Sequence, residues 1–468
     1  MIGLLQCLLF CFMFSQATSE FNRVYEIAET PPRSVVVPMY ADVCFCTRWE
    51  RNSSIPMIEK YHATRMEWCY TTNSAFITAC RSAGITSFSC ANSACGRYPS
   101  GHPNTMKDSE GNGIIAPWMT EWSDRYWGCA NRSDHRNYIM NELKACIDAG
   151  ADCIQFDNSL VNLRSAVSGW GSCYCSECIS PVKTPQNQAL IQDFYNFLNT
   201  NIDVYAGRDV EFSCNNAGAT WNYPAAQEVF SYGCGELDPV YGTNVLLMWQ
   251  RLTQDNYKPQ IVSLRSTNAV YQRRLISLAY ACGQHALMPY DVYMPNNDPR
   301  FFGEYSDYAP ITGLVRAVPQ YLNEYEEAYA YGPGISDDRY GTEFLPAVTV
   351  GGNGQKYLFV RSKVGDSQGA KIIHVVEWED SAEAYKVKIH IGRLFYSNSL
   401  KVKARFFRPK DYEETEHDAA QASGNFSGLK DSWDKTITYD GDYAIVGMDG
   451  SDLDVARPWG YLVIEIDE

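Results

Sequence analysis

Six acidic residues stand at or near the ends of short apolar runs, where a carboxyl group can be held in place for chemistry. Two carboxyl groups that face each other across a glycosidic bond can cleave it. One protonates the leaving oxygen, while the other attacks the anomeric carbon or activates water. The six candidates are Asp42, Glu67, Asp157, Glu236, Asp238 and Asp291.

Asp157 and Glu236 are the two expected catalytic residues. The apolar run 154–156 stops abruptly at Asp157, where an unpaired buried carboxylate would be costly without a function. Glu236 follows two closely spaced glycines, which allow the backbone to approach a ligand closely. We expect Asp157 to act as nucleophile or base and Glu236 as general acid, with Asp238 as the substitute acid. A helix-capping aspartate and an ordinary loop carboxylate are the structural alternatives.

Further polar and aromatic residues near the strand ends are expected to bind substrate. Arg65 shares a strand face with Glu67 and could hold an anionic sugar, although such an arginine more often forms a structural ion pair. A single tryptophan is likewise more often a core residue than a stacking platform. The expected substrate-binding set is Asp42, Glu67, Arg65, Trp68, Trp118, Asn158, Asn215, Asp238, Arg265 and Asp291.

A cluster of cysteines suggests a structural metal site. Three thiols in a C-x-C-x-x-C run suit tetrahedral zinc, and a Cys in Trp-Gly-Cys is the best fourth ligand. Four thiolates leave no open position for substrate, so no cofactor is expected for catalysis. Disulfides with Cys44, Cys46, Cys90 or Cys95 are the alternative. The expected zinc ligands are Cys129, Cys173, Cys175 and Cys178.

Alternating strand-like and helix-like segments predict how these residues are positioned. Eight βαβ-type units predict a closed (β/α)8 TIM barrel, whose active site lies at the C-terminal ends of the strands. An open dinucleotide-binding sheet is disfavoured, because no G-x-G-x-x-G follows the first strand. The predicted strands are 35–40, 63–69, 85–91, 152–156, 210–214, 228–232, 260–264 and 286–290, and a closing helix is predicted at 310–331.

The two ends of the chain predict a signal peptide and a second domain. An apolar run at 4–14 followed by small residues at 17–19 is typical of a secretory signal, and it is too short to span a bilayer. Short strand-like runs after Gly332 predict an antiparallel β-sandwich. The expected division is signal peptide 1–19, barrel 20–333 and sandwich 340–468.

Composition excludes some partners. The net charge of −16 disfavours nucleic acid, and no later stretch is apolar enough for a membrane helix. Three glycosylation sequons begin at Asn52, Asn131 and Asn425, which fits a secreted glycoprotein. With 17 cysteines, of which two fall in the signal segment, 15 remain, and an odd number cannot pair completely within one chain. The oligomeric state is not determined by the sequence.

Two family resemblances rest on the segment around Asp157. Asp157-Asn158-Ser159 and the cysteine run that follows resemble family 42 β-galactosidases, which implies a structural zinc held with Cys129. The general acid of that family occupies the position of Ser159, so this role cannot be carried over. Phe156-Asp157-Asn158 is also similar to the strand-four segment of the α-galactosidase clan. That resemblance implies Asp157 as nucleophile and an acid/base after strand six, at Glu236 or Asp238.

The sequence therefore predicts a secreted, retaining O-glycosyl hydrolase acting on an oligo- or polysaccharide. A non-catalytic carbohydrate-binding protein is one alternative, because Ser159 replaces the acid of the family 42 pattern. A polysaccharide lyase is the other, in which Arg65 and Arg265 would neutralise a substrate carboxylate and a tyrosine would act as base.

Overall fold

The computed structural model describes most of the chain from residue 37 onward. The expected signal peptide lies outside the described part, as do Trp118, Asp238, Arg265 and Asp291. The described residues are 37–115, 119–159, 173–178, 184–215, 228–237, 258–264, 268–288, 292–293, 298–299, 304–323, 325–331, 348–351, 356–363, 366, 369–377, 385–395, 401–448 and 460–467.

Eight parallel strands close into a barrel, which confirms the predicted barrel fold. The two-residue strand β1 pairs with β3 on one side and β9 on the other, and this closes the ring. Strand β2 continues the wall beyond β1 and pairs with the end of β3. The strands are β1 Cys44–Phe45, β2 Arg48–Trp49, β3 Arg65–Tyr70, β4 Ser87–Ser93, β5 Cys153–Asp157, β6 Glu211–Cys214, β7 Tyr232–Leu237, β8 Gln260–Leu264 and β9 His285–Met288. A short antiparallel pair follows β9, formed by β10 Val292–Tyr293 and β11 Asp298–Pro299.

Helices cover the outside of the barrel. The side chain of Asn73 caps the second helix by accepting from the backbone N–H of Ala75 at 3.0 Å. The third helix ends at Gly150, whose φ of 105° suits glycine. None of the described helices has the length and apolarity needed to span a bilayer. The barrel helices are α1 Ile55–Lys60, α2 Ser74–Ser82, α3 Ser133–Ala149, α4 Thr184–Ala206, α5 Ala269–Ala281 and α6 Ala309–Ala317.

The alternation of side chains along β5 separates the outer layer from the barrel interior. The ring of Phe156 faces the helices, where it meets the rings of Tyr195 and Phe212. Neighbouring positions on a strand point to opposite faces, so Gln155 and Asp157 lie on the inner face.

The predicted first strand at 35–40 is wrong over 37–40, the part of it that the structure describes. Residues 38–42 form a turn instead, in which the N–H of Met39 donates to the Asp42 carboxylate at 2.9 Å and the N–H of Asp42 donates back to the Met39 carbonyl at 2.9 Å. Pro38 has no N–H to give to a ladder, and an aspartate side chain stabilises such turns. The strand follows at Cys44–Phe45, so Asp42 precedes it.

Two further predicted elements are displaced. The sixth predicted strand, 228–232, ends where the observed strand β7 begins, so position 236 lies within the strand instead of in a loop after it. The predicted closing helix at 310–331 ends at Ala317, because Val318 leaves helical geometry and Pro319 cannot continue the hydrogen-bond ladder. A strand of the second domain, Tyr325–Tyr331, already occupies the rest of that range.

The C-terminal part contains two antiparallel sheets, as predicted. The six-stranded sheet has the order β12-β14-β15-β21-β17-β18, and the four-stranded sheet has the order β13-β16-β20-β19. Side chains from both sheets share one hydrophobic cluster, which supports our interpretation of the domain as a sandwich. The strands are β12 Tyr325–Tyr331, β13 Val348–Gly351, β14 Lys356–Lys363, β15 Lys371–Glu377, β16 Tyr385–His390, β17 Lys403–Pro409, β18 Lys430–Lys435, β19 Ile437–Asp440, β20 Tyr443–Met448 and β21 Tyr461–Asp467, with helices α7 Ile391–Phe395 and α8 Glu414–Ser423.

A pair of buried histidines joins the barrel to helix α8. Nδ1 of His62 lies 2.9 Å from Oε1 of Gln421, and Nε2 of His62 lies 2.8 Å from Nδ1 of His417. This network assigns the proton on His62 to Nδ1, and His417 then donates to His62. At the edge of the same contact, Lys60 pairs with Glu414 and Asp418. Because both rings are buried, this contact favours neutral imidazoles.

We therefore expect the protein to lose stability in acid at this contact. Burial lowers the pKa of His417 from 6.5 to about 4, and burial also lowers the pKa of His62. The unfolded chain takes up these protons below pH 6.5, whereas the folded chain resists them until about pH 4. The free energy of unfolding should therefore fall as the pH drops through this window.

Urea denaturation between pH 7 and pH 4 measures this effect. His417→Gln, which keeps an N–H donor for His62, should give a shallower pH dependence than wild type. His390→Gln changes a half-buried histidine of strand β16, in the four-stranded sheet of the second domain. It is the matched control and should keep the wild-type slope. Equal slopes for His417→Gln and wild type would contradict the prediction.

Candidate functional site

Asp157 lies at the C-terminal end of β5, where the barrel opens, and its side chain is half-buried. Oδ2 of the carboxylate accepts a hydrogen bond from the hydroxyl of Tyr70 at 2.7 Å. Oδ1 accepts from Nδ2 of Asn215 at 2.8 Å and from the backbone N–H of Asn158 at 3.0 Å. These three neutral donors fix the carboxylate and stabilise its negative charge without a cation.

Backbone strain is concentrated at the same rim. Three non-glycine residues there adopt positive φ, namely Arg48 at 53°, Trp68 at 55° and Asn158 at 58°. They flank the points where β2, β3 and β5 reach the mouth of the barrel. Such conformations cost about 1–3 kcal/mol each and cluster at functional sites. The strain is independent support for a site around Asp157.

Arg65 and Glu67 form a buried ion pair inside the barrel and are not placed to bind substrate. Nη2 of Arg65 lies 3.1 Å from Oε1 of Glu67, and the two side chains are 1% and 0% exposed. The hydroxyl of Tyr232, on β7 across the barrel, donates to Glu67 at 3.1 Å. Burial raises the pKa of Glu67, although Arg65 opposes this. The trio crosses the barrel and is sealed from solvent.

Two other expected ligands also lack access to the opening. Asp42 precedes β1 and therefore lies at the opposite, N-terminal end of the barrel, where it accepts from the hydroxyl of Thr64 at 2.8 Å. Trp68 is 1% exposed, and the guanidinium of Arg48 covers its ring at 5.2 Å. The misplaced first strand explains Asp42, and the guanidinium of Arg48 over the ring helps to seal Trp68.

Two expected binding residues reach the rim. Asn158 and Asn215 are both half-buried there, and the amide of Asn158 also donates to the hydroxyl of Ser93 at 3.1 Å. The backbone of Glu236 is on β7, paired with Ser263 of β8, while its side chain lies outside the described residues. Four further expected ligands also lie outside them, namely Trp118, Asp238, Arg265 and Asp291.

Sequence reasoning missed Tyr70, which holds Asp157. The predicted strand stopped one residue earlier, and strict alternation from Arg65 and Glu67 would have placed position 69 on the inner face. The register between β3 and β4 shifts between Met66 and Cys69, so that Tyr70 is the residue that reaches Asp157. A bulge of this kind leaves no reliable signal in the pattern of residues.

The four cysteines expected to bind zinc come together in the structure. Their sulfur atoms all lie within 4.8 Å of one another. Sγ of Cys129 is 3.3 Å from Sγ of Cys178 and 3.7 Å from Sγ of Cys175, too long for disulfide bonds. Tetrahedral zinc with Zn–S bonds of about 2.3 Å sets sulfurs about 3.8 Å apart, so the four thiols fit this ion. We call Cys129, Cys173, Cys175 and Cys178 the tetrad.

Polar neighbours support the tetrad. Nδ2 of Asn131 donates to the carbonyl of Glu177 at 2.7 Å, and Nη2 of Arg132 donates to the hydroxyl of Ser176 at 3.1 Å. The arginine places positive charge beside the thiols. A glycan on the sequon nitrogen of Asn131 would remove the first of these contacts. No cysteine in the described part of the chain forms a disulfide, and all of them except Cys178 are buried.

The interior pair generates a stability prediction. Glu67→Gln should lower the free energy of unfolding by about 3–5 kcal/mol, because the buried Arg65 loses its main counter-charge. The double variant Arg65→Met/Glu67→Leu should lose less than Glu67→Gln alone, because it removes both charges. Equilibrium urea unfolding compares the three proteins. A double variant less stable than Glu67→Gln would contradict the pairing.

Comparisons with known proteins find weak structural likeness only. No family model matches the chain, and no curated protein does, so the resemblance to family 42 β-galactosidases remains confined to its short segment. A three-domain cyclomaltodextrin glucanotransferase, CldA, matches with a TM-score of 0.49 at 9% identity, covering 91% of this chain and 99% of its own.

Two shorter structures match over about half of the chain. Ega3 of Aspergillus fumigatus, solved with galactosamine, has a TM-score of 0.36 and 14% identity, covering 55% of this chain and 94% of its own. The glycoside hydrolase domain of PelA from Pseudomonas aeruginosa has a TM-score of 0.37 and 10% identity, covering 53% and 94%. Likeness this weak carries no argument about the activity of this chain.

Proposed function

We propose that this protein hydrolyses O-glycosidic bonds in an oligo- or polysaccharide, with Asp157 as the nucleophile. The observation that carries the proposal is the setting of Asp157 at the open end of a closed barrel, where Tyr70, Asn215 and the Asn158 N–H orient its carboxylate. Carboxylates fixed at this end of barrel strands are the usual source of catalysis in the fold.

The hydrogen bonds suit a carboxylate that attacks an anomeric carbon. One oxygen of Asp157 forms the bond to the sugar as the glycosidic bond breaks and the leaving oxygen takes a proton from an acid. Water then hydrolyses the glycosyl ester, and the same acid, now a base, accepts the proton of the water. Tyr70 and Asn215 keep the carboxylate aimed during both steps. This is the retaining course.

Glu236 is the proposed general acid. Its strand, β7, is separated from β5 only by β6. Two strand spacings correspond to about 10 Å between the backbones, and inward side chains on a curved wall converge from there. Retaining enzymes hold their carboxyl groups about 5–5.5 Å apart, a separation that two facing acidic side chains can reach across this gap. Asp238 is the substitute acid.

The binding residues of the proposal are those that remain at the rim. Asn158 and Asn215 offer amide groups beside Asp157. Trp118, Arg265 and Asp291 stay proposed ligands, because each comes after the C-terminal end of a barrel strand in the sequence. Arg65, Glu67, Trp68 and Asp42 have structural roles in this proposal.

A non-catalytic carbohydrate-binding protein is the second candidate. The position that carries the acid in family 42 is Ser159 here, which is 1% exposed and donates to the carbonyl of Asn215 at 3.1 Å. Ser159 therefore cannot replace the acid. A lyase is less favoured, because Arg65 is already paired with Glu67 and sealed in the interior.

Asp157→Asn should abolish hydrolysis of aryl glycosides that the wild type cleaves. The expected loss in kcat is about a thousandfold or more, roughly 4 kcal/mol of barrier. Asp157→Gly should regain turnover with azide and release a glycosyl azide of inverted configuration, which NMR identifies. Asp193→Asn, at an exposed carboxylate on α4, is the control and should keep full activity. Undiminished hydrolysis by Asp157→Asn would falsify the proposed role, whereas saccharide binding without turnover in wild type would favour the second candidate.

We also propose that the tetrad holds one structural zinc. The ion would tie the loop before α3 to the turn at residues 173–178 and would take no part in the chemistry. Elemental analysis of the purified protein should find one zinc per chain. Cys175→Ser should lose the metal and lower Tm, and Cys80→Ala, at a buried cysteine outside the tetrad, should keep it. Disulfides among the tetrad cysteines, detected by mass spectrometry, would exclude the zinc site.

Secretion belongs to the same proposal. The signal-like segment at 1–19 supports it, and a substrate such as a polysaccharide is commonly met outside the cell. Burial of nearly every described cysteine shields the thiols from oxidation in such a compartment.

A further inference from the structure

We infer that Trp49 is the platform on which a neutral sugar ring stacks beside Asp157. The inference deepens the proposed function and rests on it for the identity of the reacting carboxylate. No sequence pattern marks Trp49, because it lies on a two-residue strand that the barrel creates by continuing its wall past β1.

The register of β2 places Trp49 next to the residues that hold Asp157. Trp49 is paired directly with Tyr70, and their rings stack with centroids 5.0 Å apart at an interplanar angle of 24°. The hydroxyl of the same Tyr70 donates to Asp157 at 2.7 Å. Trp49, Tyr70 and Asp157 thus form a continuous line along the mouth of the barrel.

Part of the Trp49 side chain is available to a ligand. Its side chain is half-buried, and within the described residues Tyr70 provides its only aromatic contact. A stacked sugar would supply an apolar partner for the part of the ring that Tyr70 leaves uncovered.

The other described tryptophans on this side of the barrel are already covered. Arg48 lies over Trp68, and the guanidinium of Arg97 lies over Trp122 at 4.4 Å. Trp127 is 1% exposed. Trp49 is therefore the one among these four with a ring that a sugar can approach.

The substrate class follows from the local charges. Asp157 and the overall net charge of −16 disfavour an anionic sugar at this position. An indole face instead attracts the C–H face of a neutral pyranose. We expect a neutral hexopyranoside on the side of the Trp49 ring that Tyr70 does not cover, at the mouth of the barrel that also holds Asp157.

Binding measured without turnover tests the platform separately from the hydrolase. In the Asp157→Asn background, an array of neutral gluco-, galacto- and N-acetylhexosaminyl oligosaccharides identifies a bound probe, and calorimetry gives its Kd. Adding Trp49→Ala should raise that Kd about tenfold or more, because the stacking area is lost. Trp49→Phe should restore part of the affinity, since it keeps a smaller aromatic ring.

Trp433→Ala is the matched control. Trp433 is a half-buried tryptophan of β18 whose ring meets Phe406 edge-on in the second domain, and its substitution should leave Kd unchanged. Near-ultraviolet circular dichroism and Tm verify that each variant folds. If the active enzyme shows the same KM and Kd with Trp49→Ala, the platform is wrong while the hydrolase stands. If saccharides bind through Trp49 but none is cleaved, the hydrolase is wrong while the platform stands. If no saccharide binds or is cleaved, both are wrong.

Discussion

Closure of the barrel through β1 is the constraint from which the candidate site follows. This strand has only two residues, Cys44 and Phe45, yet it joins β3 to β9 and makes one ring of eight parallel strands. In a parallel ring all carboxyl ends emerge at one rim, so residues far apart in the chain meet there. Tyr70 and Asn215 both contact Asp157 for this reason, although 145 positions separate them in the chain.

The rim and the interior of the barrel have different tasks. In the interior, Arg65 and Glu67 neutralise each other and Tyr232 donates a hydrogen bond to Glu67 from across the lumen, which stabilises the ring without exposing charge to solvent. At the rim, the hydrogen bonds that Asp157 receives from described residues all come from neutral donors, so its negative charge stays available to a substrate. The ion pair lies one layer below the reacting carboxylate. Arg65 is therefore kept away from Asp157 and does not compete with the substrate for it.

Tyr70 links the two proposals made for the rim. Its hydroxyl orients Asp157, and its ring stacks on the ring of Trp49. A displacement of β3 by one residue would break both contacts at once. The positive φ of Trp68 and the shifted register at Met66 to Cys69 are the local distortions that bring Tyr70 into position. Strain in this strand is thus connected directly to the proposed chemistry.

The sequence by itself determined the alternation of strands and helices, the change to antiparallel strands in the C-terminal part, the abrupt end of an apolar strand at Asp157 and the set of four cysteines that converge. Each of these depends on local patterns of apolar residues or on short spacings between residues, which can be recognised without knowledge of distant contacts. The roles of Asp42, Glu67 and Tyr70 were decided only by the tertiary structure. A two-residue strand and a bulge carry almost no periodic signal, and a shift of one residue exchanges the inner and outer faces of a strand. Which carboxylate is sealed and which reaches solvent therefore depends on ring closure, not on the residues that surround it in the chain.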